Sequence, residues 1–226
     1  NDICYFAAND FCIEGSVYCT SSNVRQDFIT QVATSNLGMW FGIGYSINNK
    51  LQFVFSADGT GTNATIISDT DNFILNSWTH VAVARTSNAI SLFVNGKRKA
   101  TTTTTASVFN STRFVSIGAY TGNSGEEGLY PFNGYMSDLR VVKNNSVYDA
   151  SLTTLTPPTA PLSAINGTSL LLNATKAGII DVSGNSDIII SGNVQSSTIL
   201  PSITPFTTTN SPTARSLYFN GAAAGA

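Results

Sequence analysis

The clearest indication of the fold comes from residues 76–100, NSWTHVAVARTSNAISLFVNGKRKA. These residues alternate with a period of two, which places Val81 and Val83 on one face of a strand and Ala82 and Ala84 on the other. Both faces are therefore apolar. Such a strand belongs in the middle of a sheet that is covered on both sides.

The same period continues along most of the chain. Asn95-Gly96 predicts a hairpin turn, because both positions of that turn need residues that tolerate positive φ. Further short runs, rich in β-branched and aromatic residues and bounded by turn formers, occupy 11–18, 39–45, 51–55, 113–119, 135–142, 169–173 and 188–191. No window shows a helical stripe of apolar residues. The pattern predicts an all-β protein, an antiparallel β-sandwich of many short strands.

The composition of the surface argues against two classes of partner. Charged residues make up 11% of the chain, less than half of the roughly 25% that is usual, and the formal net charge is −2. A neutral surface rich in hydroxyls and amides does not attract phosphate backbones or anionic lipids. No apolar run approaches the ~20 residues that span a bilayer. We therefore expect neither nucleic-acid binding nor membrane insertion.

Three cysteines lie within the first twenty residues, at Cys4, Cys12 and Cys19. Cys12 and Cys19 are seven residues apart, so on one straight strand they would face opposite ways and could not form a disulfide. The spacing matches no zinc pattern. We interpret all three as small buried apolar residues.

Three stretches, taken together, are typical of one known family. They are FCIEGSVYCTS at 11–21, the opening stretch at 76–100, and PFNGYMSDLRVVKNNSVYD at 131–149. In this order they resemble the laminin-G-like, concanavalin A-like lectin/glucanase superfamily. The resemblance implies a jelly-roll sandwich. The stretch 157–185, PPTAPLSAINGTSLLLNATKAGIIDVSGN, is similar to the version of this domain in phage and other viral surface proteins.

The end of the chain carries a strand that this family usually places at the start. SLYFNG begins at Ser216 and continues through Leu217, Tyr218, Phe219 and Asn220. We expect residues 1–203 to form the sandwich, 204–215 a Thr/Pro-rich linker, and 216–226 a further strand. That strand could complete its own sandwich, fill the open edge of a neighbouring subunit, or begin the next unit of a tandem array.

Catalysis has little support in the sequence. A glycosidase needs two carboxylates flanking the scissile bond, and no acidic run of the type Glu-x-Asp-x-x-Glu occurs on a predicted strand. Glu126 and Glu127 are adjacent in a Gly-rich loop, and His80 is the only histidine, on a strand where we expect it to be structural. We predict that the chain is not an enzyme. A glycan-cleaving activity is kept only because relatives on this fold have it.

Charged residues also occur on strands that should be buried. Asp138 and Arg140 share one face of a predicted strand, and the resemblance places Glu14 in the same sandwich. Because a buried charge needs a partner, we expect Arg140 to meet Glu14 or Asp138 in a structural pair.

Calcium is the cofactor that the resemblance to lectins implies. Asp69 and Asp71 in one loop, and Asp181 and Asn185 in another, offer the oxygen ligands that calcium prefers. Neither loop has a diagnostic spacing, and residues of these types also close turns. Turn formation is our preferred interpretation, and calcium is the alternative.

Sugar recognition needs an aromatic platform beside amide and hydroxyl groups. The loop 120–130 supplies these groups, and its candidate ligand-binding residues are Tyr120, Asn123, Glu126, Glu127 and Tyr130. An adaptable surface loop with packed tyrosines is the alternative interpretation.

These observations lead to one predicted function and one competitor. We expect a non-enzymatic, extracellular module on the surface of a virus particle, a fibre, decoration or adhesion domain that presents loop residues to a cell-surface glycan during host attachment. Other particle proteins or copies of the chain would be its partners. The competitor is a purely structural subunit that forms oligomers by exchange of the strand 216–221.

Overall fold

The computed structural model describes residues 3–21, 24–33, 36–121, 127–176, 178–201 and 214–221. These ranges contain β-strands and no helix. The strands are β1 (Phe11–Cys19), β2 (Gln26–Gln31), β3 (Met39–Ile43), β4 (Leu51–Ser56), β5 (Ala64–Ser68), β6 (Trp78–Thr86), β7 (Ala89–Val94), β8 (Lys97–Thr103), β9 (Ser116–Ile117), β10 (Tyr120–Thr121), β11 (Glu127–Leu129), β12 (Asn133–Lys143), β13 (Thr168–Thr175), β14 (Gly178–Asp181), β15 (Gln195–Ser197) and β16 (Ala214–Asn220).

The strands form two main antiparallel sheets. The larger sheet has the order β14-β13-β16-β12-β1-β6-β7-β8, with β15 beside β16. The smaller sheet has the order β5-β4-β3-β2-β9, and β10 and β11 form a separate hairpin. This confirms the predicted antiparallel sandwich of the jelly-roll type. No helix long and apolar enough to cross a membrane occurs in the described ranges.

The core lies between the two sheets and is rich in phenylalanine. Alternate residues of β1 and β6, such as Ile13 and Val83, meet Phe53 of the smaller sheet in one continuous buried cluster. Phe28 anchors one end, with its ring 5.3 Å from that of Phe132 and nearly perpendicular to it. Edge-to-face packing of this kind adds to the stabilisation that burial already provides.

A long irregular segment covers the outer face of the larger sheet. Ala150 packs against Ala82 and Ala84 of β6, and its carbonyl accepts a hydrogen bond from Ser91 at 2.6 Å. We call this segment, residues 144–163, the crossing segment; it contains Pro157, Pro158 and Pro161. It explains why β6 is apolar on both faces.

The last strand, β16, pairs with β12 of its own chain. Asn133 lies opposite Asn220, and Met136 lies opposite Leu217. Leu217 and Phe219 are buried in the core. The strand begins at Ala214, two residues before the predicted boundary, and residues 202–213 lie outside the described part. Exchange with a second chain and an origin in a tandem array stay predictions.

Some local expectations were wrong. Of the run 113–119 only Ser116–Ile117 forms a strand, and 188–191 forms none. Ile188 packs against the core, but Ile189 is 90% exposed and no strand pairs with this run. The strands that the pattern did not predict include β2, β5, β10, β11, β14 and β15. The cysteine prediction is confirmed, because all three are free and buried.

Candidate functional site

A cluster of aromatic rings surrounds Arg25 on the outer side of the smaller sheet. The Arg25 side chain donates hydrogen bonds from Nε and Nη2 to the two carboxylate oxygens of Asp27, at 2.8 and 2.9 Å. Its guanidinium carbon lies 4.2–5.3 Å from the centroids of four rings, those of Trp40, Tyr45, Tyr120 and Tyr130. We call these six residues the Arg25 cage. Cation–π contact and a bidentate ion pair hold the guanidinium in one orientation.

Two local features position Trp40 in the cage: the alternation of side chains along β3, and the space left by Gly42. Trp40 stands on the face of β3 opposite to Met39 and Phe41, which enter the core. A Cβ at Gly42 would overlap the carbonyl oxygen of Gln26 and crowd the Trp40 ring at 2.8 Å. Only glycine therefore lets this ring lie along the sheet beside Arg25.

The charge of the cage is balanced. The side chain of Asp27 is fully buried, whereas that of Arg25 is 16% exposed. Burial raises the pKa of Asp27, while the hydrogen bonds and charge of Arg25 oppose that rise. The bidentate contact is the geometry of an ionised carboxylate. Arg25 and Asp27 together contribute no net charge to the surface.

Tyr130 presents the exposed face of the cage. It is 42% exposed, and its ring centroid lies 6.0 Å from that of Tyr120 in an edge-to-face arrangement. Its φ of +51° is unusual for a bulky residue, and its carbonyl accepts a hydrogen bond from the amide of Asp27 at 3.2 Å. Such backbone strain, of order 1–3 kcal/mol, is concentrated at functional sites.

The structure brings together part of the predicted ligand-binding set. Tyr120 and Tyr130 meet in the cage. Asn123 and Glu126 lie outside the described residues, and so does the side chain of Glu127, which begins β11. Arg25, Trp40 and Tyr45 were not predicted. The available signal was the pair Arg25-x-Asp27, two opposite charges two residues apart at the start of a buried strand.

A second polar cluster lies on the outer face of the larger sheet. The fully buried carboxylate of Glu14 accepts hydrogen bonds from Arg140 Nε at 3.1 Å and from the Tyr148 hydroxyl at 2.6 Å. His80 Nε2 lies 3.2 Å from the same carboxylate. The structure thus brings Arg140 to Glu14, whereas Asp138 accepts hydrogen bonds from the hydroxyl of Ser137 and the amide of Leu162.

This cluster has no room for a substrate. Burial raises the pKa of Asp138, whereas His80, Arg140 and Tyr148 more than offset the effect of burial on Glu14 and lower its pKa. Opposed shifts of two neighbouring carboxyls are a pattern seen in acid–base catalysis. The adjoining cavity, however, measures about 10 Å³, which holds no more than one water molecule. We interpret the cluster as structural.

The four residues proposed as calcium ligands make hydrogen bonds and an ion pair within the chain. Asp69 accepts the amide of Asp71 at 2.8 Å, and Asp71 pairs with Lys99. Asp181 accepts the amides of Ser183 and Asn185. The carboxylates of Asp69 and Asp181 therefore close turns, and that of Asp71 is paired with a lysine. In the described part of the chain, no three His, Cys, Asp or Glu residues cluster as a metal site would require.

A larger cavity, of about 480 Å³, lies at the edge of the larger sheet beside Lys143 and Ser169. Its lining has no aromatic ring among the described residues. The polar groups there are engaged with each other: Ser169 Oγ donates to the carbonyl of Ile3, and Asn185 Nδ2 donates to that of Thr168. It lacks the stacking surface that the Arg25 cage provides.

The fold and this site define a lectin-like β-sandwich. A sequence model of the concanavalin A-like lectin/glucanases superfamily matches residues 2–146, more than half of the chain. The chain belongs to that superfamily. No curated protein matches it in sequence.

Solved structures share the fold at low sequence identity. A protein of Bacteroides ovatus ATCC 8483, to which carbohydrate binding has been attributed, is 20% identical over 80% of this chain, with a TM-score of 0.57. The match covers 51% of that protein, so this chain spans about half of its length. The CBM40 of a Ruminococcus gnavus sialidase, bound to α2,3-sialyllactose, is 18% identical over 66% of this chain and 84% of its own, with a TM-score of 0.51. At these identities the similarity shows the fold alone.

Proposed function

We propose that this chain is a non-catalytic carbohydrate-binding domain that binds a glycan at the Arg25 cage. The observation that carries the proposal is the exposed ring of Tyr130, held at positive φ over a guanidinium that is itself fixed by Asp27. A rigid ring can stack on the C–H face of a sugar with little loss of conformational entropy. Structural neighbours that carry carbohydrates or are credited with binding them support the same class of ligand.

The ligand class follows from the charge of the cage. Because Asp27 neutralises Arg25 and the chain carries a net charge of −2, an acidic sugar finds no uncompensated cation there. A neutral sugar needs only ring stacking and hydrogen bonds to its hydroxyls. The domain therefore selects neutral glycans, unlike the sialyllactose-bound CBM40 with which it shares its fold.

Calorimetric titration with a panel of neutral oligosaccharides tests the proposal. The substitution Tyr130→Ala removes the exposed ring and weakens binding about tenfold or more, given the usual contribution of one aromatic contact. Tyr5→Ala is the matched control, because Tyr5 is a tyrosine of similar exposure (38%) outside the cage. Equal affinities of the two variants would refute the assignment of the site.

A second variant tests the preference for neutral sugars. Asp27→Asn removes the compensating charge and leaves Arg25 cationic, so sialyllactose gains affinity relative to lactose. Arg25→Gln in the same background reverses the gain, and a thermal melt of each variant shows whether the fold is intact. An unchanged ratio of the two affinities would show that charge balance does not set specificity.

The location on a virus particle is also part of the proposal. It is supported by the resemblance of residues 157–185 to the version of this domain in viral surface proteins. Immunogold labelling of intact particles from the source, with antibody raised against the domain, would show it on the outside. Incubation with the same glycan panel should release no reducing sugar if the domain is non-catalytic.

A further inference from the structure

Four aromatic side chains form a row across the outer face of the larger sheet. Trp78 of β6 lies opposite Tyr18 of β1, Tyr18 lies opposite Tyr135 of β12, and Tyr135 lies opposite Tyr218 of β16. Gln195 of β15 lies opposite Tyr218 and extends the line with an amide. Residues directly opposite each other in antiparallel strands point to the same face, so the row is continuous. We call Trp78, Tyr18, Tyr135 and Tyr218 the aromatic row.

The rings of the row support one another. Tyr18 lies 5.9 Å from Trp78 and 5.7 Å from Tyr135, both edge to face, and Tyr135 lies 5.1 Å from Tyr218. Each ring is therefore fixed by its neighbour on the next strand. A surface that is rigid before binding loses little entropy when a ligand arrives.

The row is not part of a core. All four residues are partly exposed, and none belongs to any of the buried apolar clusters. Within the described chain, no hydrogen bond joins the three phenol groups or the Trp78 indole to another residue. By contrast, the hydroxyl of Tyr148 on the same face is bonded to Glu14. Contiguous exposed aromatic side chains with polar tips are typical of recognition surfaces.

The surroundings of the row give it a direction. On one side, Pro158 and Ala160 of the crossing segment lie beside Ser16 and His80. These two paired residues are two positions along their strands from Tyr18 and Trp78. On the other side the strands end in polar residues, with Asn133 opposite Asn220. The open axis runs across the strands, from Trp78 to Gln195.

We propose that the aromatic row is a second binding surface, for an extended uncharged polysaccharide chain that runs across the strands. Successive ring centroids lie 5.1–5.9 Å apart, which is close to the length of a pyranose unit. A polymer with a regular hydroxyl-bearing repeat matches four regularly spaced rings with polar tips. No member of the row is charged, so charge recognition has no part in it.

The inference does not depend on the Arg25 cage. The row stands on the larger sheet, and the cage stands on the outer side of the smaller one. An oligosaccharide short enough to bind at the cage covers only a fraction of the row. Binding at the two surfaces can therefore be distinguished by the length of the ligand as well as by substitution of the residues of each surface.

The experiment uses native gels that contain a soluble neutral polysaccharide (a mixed-linkage β-glucan, a xylan or a mannan), and the full chain is the protein tested. Tyr135→Ala and Tyr218→Ala each weaken retardation about tenfold, the usual contribution of one aromatic contact. Tyr5→Ala, at an exposed tyrosine outside both surfaces, leaves retardation unchanged. Thermal melts identify any variant that has lost its fold, and Tyr135→Phe, which keeps the ring, retains most of the binding.

Fluorescence gives a second readout. Trp78 is partly exposed and Trp40 is fully buried, so polysaccharide bound to the row shifts the emission of Trp78 alone, and Trp78→Phe removes the shift. The inference is overturned if row variants that remain folded bind every polysaccharide as the parent chain does. It is also overturned if Tyr218→Ala instead abolishes a concentration-dependent dimer, since a second copy of the chain would then be the occupant.

Discussion

Arg140 donates hydrogen bonds from both Nε and Nη2 to one carboxylate oxygen of Glu14, on the neighbouring strand of the larger sheet. The Arg140 side chain is 6% exposed and that of Glu14 is fully buried. The pair is thus shielded from water on the outer face of the sheet. Its remaining bonds, to the carbonyl of Ser163 and the hydroxyl of Tyr148, tie the crossing segment to the sheet.

Removing one partner of this pair should be costly. Arg140→Met leaves the carboxylate of Glu14 buried with half of its hydrogen bonds, so we expect a loss of about 3–5 kcal/mol in the free energy of unfolding. Lys99→Met, which breaks the more exposed pair with Asp71, is the control and should cause only a small loss. Chemical denaturation measures both, and similar losses would contradict the structural role of the buried pair.

The same pair predicts a pH dependence of stability. The pKa of Glu14 is lowered in the folded state, so its contribution is fully present above the unfolded pKa of about 4.3 and is lost as pH falls through the folded value. The difference in unfolding free energy between the parent chain and Glu14→Gln should therefore shrink as pH falls below about 4.3. A difference that is constant from neutral to acid pH would contradict this.

Gly118 lies close to the ring of Phe219 in β16, so a methyl group added at Gly118 should destabilise the packing of that strand. Gly118 has a φ of +76°, and a Cβ there would overlap the ring of Phe219. We expect Gly118→Ala to lower the melting temperature by several degrees. In a Phe219→Leu background the added methyl group has more room and should cost less. Equal costs in the two backgrounds would show that backbone strain alone explains the effect.

Calcium should leave the stability unchanged. The carboxylates of Asp69 and Asp181 already accept hydrogen bonds that close their own turns. A metal ion that bound only the folded state would raise the melting temperature in proportion to its occupancy. Millimolar calcium should therefore shift the melt no more than magnesium at equal ionic strength does. A rise in melting temperature with calcium but not with magnesium would support calcium as a cofactor.

The architecture could be predicted from the sequence because it depends on local period. The alternation in residues 76–100 predicts a central strand and the hairpin that follows it. It also predicts that the outer face of that strand is covered, and Ala150 covers it. The aromatic row could not be predicted in this way. Its members come from four strands far apart in sequence, and which residues lie opposite one another depends on register, which a single sequence does not specify.

The Arg25 cage falls between these cases. The loop that ends at Tyr130 was predicted from its composition, because tyrosines beside small polar residues are typical of adaptable binding loops. The partners of Tyr130 were not predicted, because they lie on the outward face of the smaller sheet. That face is buried along β2, the strand that Arg25 precedes, and the residue pattern did not show this. The run around Ile189 shows the opposite error. Its β-branched composition predicted a strand, but no neighbouring strand pairs with it.

The pairing of β12 with β16 also has a consequence for how the protein is made. Residues 133–136 meet residues 217–220, so this stretch of β12 has an unfilled edge until some eighty further residues have left the ribosome. During translation the nascent chain carries an exposed row of backbone donors and acceptors next to Phe132, open to wrong partners. Completion of the sandwich is therefore a late event, and the speed of elongation through this interval should influence the yield of native protein.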